Sequence, residues 1–134
     1  PQVQTATQNF IAWYEGSGLE IIAQEQGVHS KKHGYAGTLD AIARVRGDQG
    51  LLVCDWKSGN GIHDEAALQL AAYVFAYEEM HNVPIRGAFV VRLSKFANAR
   101  SPYEVRQVSN LEACFETFLA ALALWRGMKQ AKWG

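Results

Sequence analysis

Cysteine is nearly absent from this chain. Only Cys54 and Cys114 occur, far apart and without metal-ligand spacing. That excludes a four-cysteine cluster built from this chain, an iron–sulfur centre included, and it fits a reducing compartment. An excess of charge is missing as well. Thirteen Lys and Arg balance thirteen Asp and Glu, so the formal net charge is zero. A protein that coats nucleic acid without specificity is usually more basic, so any such contact has to come from a local patch. No apolar run approaches the roughly 18 residues of a membrane helix, and no membrane partner is expected. No signal peptide or lipidation motif is read. The expected setting is intracellular, in the cytoplasm or in a phage or host nucleoid. Internal repeats and low-complexity segments are absent too. The chain opens at Pro1 instead of a methionine, as a piece of a longer protein lacking its N-terminal helices would.

What is present is enough for a core. A chain of 134 residues, 49% of them hydrophobic, suits one domain spanning residues 1–134 and argues against disorder. Phe10, Trp13 and Tyr14 recur at helical spacing, which predicts a helix over 5–15 with Thr5 or Thr7 as cap. Residues 19–29 and 35–46 read as strands around a polar tip at 30–34. Gly47-Asp48-Gln49-Gly50 signals a second hairpin into a strand over 51–57. Asp64 is the expected N-cap of a helix over 65–81, and Pro84 marks the break after it. Residues 86–93 form a fourth strand, and 103–108 a fifth, at the edge. Ser109 and Glu112 are spaced as a capping box. They open a helix with Leu111, Phe115, Phe118, Leu122 and Trp125 on one face. The order α-β-β-β-α-β-β-α predicts an α/β fold: a mixed sheet of four to five strands flanked by helices. It is an antiparallel meander followed by a crossover helix to a parallel strand.

Charge appears where such a sheet should be apolar. In Asp55-Trp56-Lys57 the two charged residues share a face and Trp56 points away. Taken alone, this triplet reads as a strand end reaching solvent. If Gly47 pairs with Gly50, or Arg46 with Leu51, Asp40 faces Lys57 with Asp55 as its neighbour. A slip of one residue would send Asp40 to the other face. The same counting across the first hairpin can bring Glu25 beside Asp40. Two carboxylates held together repel, and a divalent cation resolves the conflict. Asp40, Asp55 and the carbonyl of Trp56 form an oxygen set suited to Mg²⁺ or Mn²⁺. Lys57 would then stand next to the attacking water and the phosphate. Gln69 and Tyr73, four apart, share one helix face.

The series Gly37-x-x-Asp40, Asp55-x-Lys57 and Gln69-x-x-x-Tyr73 resembles the PD-(D/E)XK nuclease superfamily, and within it the RecB-like exonuclease branch. The likeness covers residues 19–93, and it implies the restriction-endonuclease-like core. It also implies Mg²⁺-dependent cleavage of DNA phosphodiester bonds, with Mn²⁺ able to substitute. Asp40 and Asp55 would be metal ligands and Lys57 the catalytic lysine. Gln69 and Tyr73 would support the site and contact the nucleic-acid backbone. Glu25 matches a commonly acidic position of the family, and Ser58, next after Lys57, joins the substrate-binding candidates. Some RecB-like members carry a cysteine-ligated iron–sulfur cluster, which this chain cannot.

The remaining candidates are weaker. Lys31, Lys32 and His33 sit at the first hairpin tip, where solvation is the default reading and Lys32 could overhang a substrate. Arg92, Lys95 and Arg100 form a looser basic group. His29 and His63 read as surface residues. Trp125 and Trp133 read as core packing or a terminal anchor, not as base-stacking platforms, and Cys54 reads as buried and inert. The leading expectation is a DNA nuclease acting on single strands or free ends, because the chain has little room for base-reading elements. The alternatives are a non-catalytic nucleic-acid-binding or scaffold module of the same fold, and a dimeric junction resolvase.

Overall fold

The structure, a computed structural model, describes residues 1–59, 61–96 and 101–131. Asn60, Arg100 and Trp133 therefore lie outside the described residues. Three helices and five strands follow one another as α1 (Gln2–Ser17), β1 (Leu19–Ser30), β2 (Tyr35–Val45), β3 (Leu51–Lys57), α2 (Glu65–His81), β4 (Ile85–Leu93), β5 (Tyr103–Gln107) and α3 (Leu111–Gln130). The strands build one sheet in chain order. Neighbours pair antiparallel except β3 and β4, which run parallel across the α2 crossover. This is the mixed, helix-flanked sheet expected from the sequence. None of the described helices is long and apolar enough to cross a membrane.

Strand alternation divides the core in two. On one face Ile42, Val53, Ala88 and Val90 pack under Leu70 and Val74 of α2. On the other, the small residues Ala41, Ala43 and Cys54 leave room for Trp13 of α1. Around Trp13 gather Phe10 and Trp56, with ring centroids 5.2–5.5 Å from Trp56 and edge-to-face geometry. Burial on both faces is why β3 and β4 read as continuous apolar runs. Cys54 is among these buried residues, and burial pushes its thiol up to about 12, far from reactive.

Helix ends depart from the expected caps. α1 begins earlier than predicted, so Thr5 and Thr7 lie inside it and donate back to the carbonyls of Pro1 and Val3. Gly18, at φ 72°, closes that helix in the left-handed region. Asp64 does precede α2, but its side chain makes no capping bond. At α3 the cap is Asn110 and not Ser109; Asn110 Oδ1 accepts from the Ala113 N–H at 3.0 Å.

α3 packs on α2 through Phe115, stacked on Phe75 with centroids 4.3 Å apart. Its apolar stripe predicted burial, yet none of its residues is buried, and Trp125 is 53% exposed. The stripe continues past the α2 contact, so its far end faces solvent.

Glu79 of α2 ties down the first hairpin tip. It accepts from Ser30 Oγ and the Lys31 N–H at 2.8 Å and from the Lys32 N–H at 3.4 Å. The Ser30 hydrogen bond, with those amides and nearby His33, holds its carboxyl below the usual range. A lowered folded pKa contributes stability above the unfolded carboxylate value, and this is lost as pH falls through the folded one. Glu79→Ala should therefore speed hydrogen exchange at the Lys31 and Lys32 amides several-fold at neutral pH. The difference from the parent should close in acid.

Candidate active site

The β2–β3 register decides what meets at the sheet edge. Ala41 pairs with Cys54, Ile42 with Val53 and Ala43 with Leu52. Asp40 thus falls opposite Asp55, two residues from the pairing with Lys57 that a tight 47–50 turn would have made. The connection is longer than that turn. Asp48 accepts from the Gly50 N–H and pairs with Arg86 at 2.8 Å, holding residues 46–50 out of the ladder. A shift of two keeps every side chain on its face, so Asp40, Asp55 and Lys57 still converge.

Past Ala41 the ladder gives way to side chains. Asp40 Oδ2 accepts from the Trp56 N–H at 2.8 Å, a charge-assisted bond that fixes its carboxylate beside Asp55. Asp55 is only 5% exposed. Burial first, and then the hydrogen-bonding contact with Asp40, push its pKa up to about 6; Lys57 pulls the other way. Lys57 Nζ lies 3.1 Å from Asp55 Oδ2. The ion pair lacks hydrogen-bond alignment, and Asp55 Oδ2 is a buried oxygen with no hydrogen-bond partner. Such an atom is costly, and it stands beside a second carboxylate.

Lys57 is steered from α2. Its Nζ donates to Gln69 Oε1 at 3.2 Å, and Gln69 Nε2 donates to Tyr73 Oη at 3.0 Å. One helical turn separates Gln69 from Tyr73, so the relay follows from their spacing. Tyr73 in turn packs against β2 at Gly37. A Cβ there would lie 2.7 Å from the ring, which is why the position suits glycine. Burial, then the charges of Asp55 and Asp40, raise the Tyr73 pKa and keep it a neutral hydroxyl that accepts from Gln69. A cleft of about 370 Å³ opens over Lys57 and Gln69, walled by Gly61, His63, Glu65 and Ala66.

The other candidates stand apart from this cluster. Glu25 falls between the pairs Gln24–Ala41 and Gln26–Leu39, and so opposite Asp40 in register. Its φ is 51°, it is exposed, and no third carboxylate, histidine or cysteine joins Asp40 and Asp55 among the described residues. Ser58 lies across the sheet, lining a groove with Phe10, Leu93 and Lys95 on the α1 side. Lys32 is exposed at the hairpin tip, beyond Tyr35 and hence roughly 17 Å of strand from Asp40. Arg92 pairs with Glu104 at 3.6 Å. The ring of Trp56 is committed to the α1 core, which leaves its backbone as the part near the charges. His63, read from sequence as a surface residue, is exposed and walls the cleft, while Glu65 belongs to no spaced motif and was not singled out.

The donor set fits a hard divalent cation. It consists of oxygens, one of them buried and unsatisfied, and Mg²⁺ needs only one or two carboxylates beside water and phosphate.

A sequence profile described as the PD-(D/E)XK nuclease superfamily matches residues 5–133. No curated protein is a significant match. Among solved structures the chain is similar to that of SSO0001, at a TM-score of 0.52 and 13% identity. That alignment covers 93% of this chain and 56% of the other, so this chain spans little more than half the length of that protein. At this identity the likeness concerns the fold alone. The profile covers almost the whole chain, including both carboxylates, Lys57 and the Gln69–Tyr73 pair: the chain belongs to the PD-(D/E)XK nuclease superfamily.

Proposed function

We propose that this chain is a single nuclease domain of the RecB-like kind that hydrolyses DNA at single strands or free ends, inside the cell, with Mg²⁺ or Mn²⁺. The observation that carries the reading is the buried, unsatisfied Asp55 Oδ2 beside Asp40 and Lys57. Asp40, Asp55 and the Trp56 carbonyl would hold the cation. When bound, it lowers the pKa of a water and polarises the phosphoryl oxygen.

The chain's own residues supply the rest. Lys57 has three N–H donors. Gln69 takes one of them at 3.2 Å, and a second side of the ammonium faces Asp55 at 3.1 Å as an ion pair without hydrogen-bond alignment. The third is available to orient the attacking water or to meet the phosphate as negative charge gathers on it. Water attacks phosphorus, the bond to the leaving oxygen breaks, the water's proton passes to solvent, and the leaving oxygen takes one up from solvent. Gln69 and Tyr73 act as positioning residues for the Lys57 ammonium. Both cysteines are free, as suits a reducing interior.

Calorimetric titration with Mn²⁺ tests the metal assignment. The parent should bind, and Asp40→Ala and Asp55→Ala should each remove the binding heat. Unchanged affinity in both variants would put the ion elsewhere.

A further inference from the structure

We propose that the groove between α2, α3 and β2 is the track along which a single DNA strand reaches the Lys57 cleft, its bases stacking on Trp125. This rests on the nuclease reading of the cleft. The groove holds about 480 Å³, and its lining includes Tyr35, Gln69, Tyr73, Phe118, Leu122 and Trp125. Gln69 and Glu65 also wall the cleft at Lys57, so the two cavities adjoin along α2. A strand held at the scissile phosphate therefore has an open path beside it.

The chemistry of the path suits unpaired bases on a phosphate backbone. Its bed is aromatic and apolar, and Trp125, at the end of the α3 lining, is 53% exposed. Cations stand on the rim. Lys129 Nζ lies 4.0 Å over the Trp125 ring. Arg126 donates to the Gly34 carbonyl at the hairpin tip, where Lys31 and Lys32 are exposed. Glu65, at the cleft end, is the acidic residue of the lining. Single-strand sites combine such stacking surfaces with flanking positive charge. A duplex hides its base faces and would gain nothing from the aromatic bed.

The test is fluorescence anisotropy in EDTA with a short labelled oligo(dT) and an abasic strand of equal length. Trp125→Ala should weaken oligo(dT) binding on the order of tenfold or more, the loss of about one stacked base. Trp125→Phe should retain most of the affinity, and the abasic strand should bind all three proteins equally. Equal oligo(dT) affinity for the parent and Trp125→Ala overturns the track. So does an equal loss on the abasic strand, and so does a parent dimer that Trp125→Ala splits in sedimentation. Cleavage is read separately, with Mn²⁺ and the parent chain. A parent that binds through Trp125 but cuts nothing keeps the track and loses the nuclease reading. A parent that cuts while Trp125→Ala binds oligo(dT) normally loses the track alone.

Discussion

Lys57→Ala should fold, bind Mn²⁺ and bind DNA, yet cleave slower by on the order of 10² to 10⁴ under single-turnover conditions. The side chain is partly exposed at a strand end and carries no core packing, so little stability depends on it. Protonated, it cannot ligate a cation, and removing its charge leaves both carboxylates free to bind one. What the variant loses is the ammonium that Asp55 and Gln69 hold over the cleft. Gln69→Leu should slow the reaction less than Lys57→Ala, because it only loosens that ammonium. Cleavage by Lys57→Ala at close to the parent rate would remove the triplet from the chemistry and favour a scaffold role.

Asp55→Asn should abolish cleavage and, without metal, make the protein more stable at pH 7.5. The native pKa of Asp55 is raised from 3.8 to about 6. The folded state therefore binds a proton more tightly than the unfolded one between those values. Stability from this group falls as pH climbs from about 4 to 6 and stays low above. The cost at neutral pH is on the order of 1–3 kcal/mol, from about two units at 1.36 kcal/mol each and allowing for the coupling to Asp40 and Lys57. An amide carries no such cost. The thermal midpoint of Asp55→Asn should thus exceed that of the parent at pH 7.5 and converge with it near pH 4. Mn²⁺ should raise the parent's midpoint, since a ligand of the native state stabilises it, and should leave the variant's unchanged. A variant that melts below the parent at both pH values would mean that Asp55 serves the fold and not a metal.

Much of this site could be read from residue order alone, for a physical reason. Alternation in β3 put Asp55 and Lys57 on one face, and helical spacing put Gln69 over Tyr73. Parity is robust, because a two-residue shift leaves faces intact; the expected Asp40–Lys57 pairing and the observed Asp40–Asp55 one differ by that shift. The pairing itself was not legible, because it depends on how Asp48 and Arg86 close the connection. Ser58 shows the limit of proximity in sequence. One residue past Lys57, it belongs to the other face and to the α1 groove. Trp125 shows the limit of an apolar stripe, which reports what a helix can bury and not where its partner ends. The relay from Lys57 to Gln69 links β3 to α2, and no local pattern encodes such a contact.

The most direct measurement is a gel assay of the purified chain on end-labelled single-stranded, linear duplex and circular DNA, with Mn²⁺ or Mg²⁺ and with EDTA. Metal-dependent cutting of the single-stranded or free-ended substrates is expected, with none in EDTA and none by Asp40→Ala. No cleavage with either ion, or cleavage that proceeds equally in EDTA, would contradict a metal-dependent nuclease built on Asp40, Asp55 and Lys57.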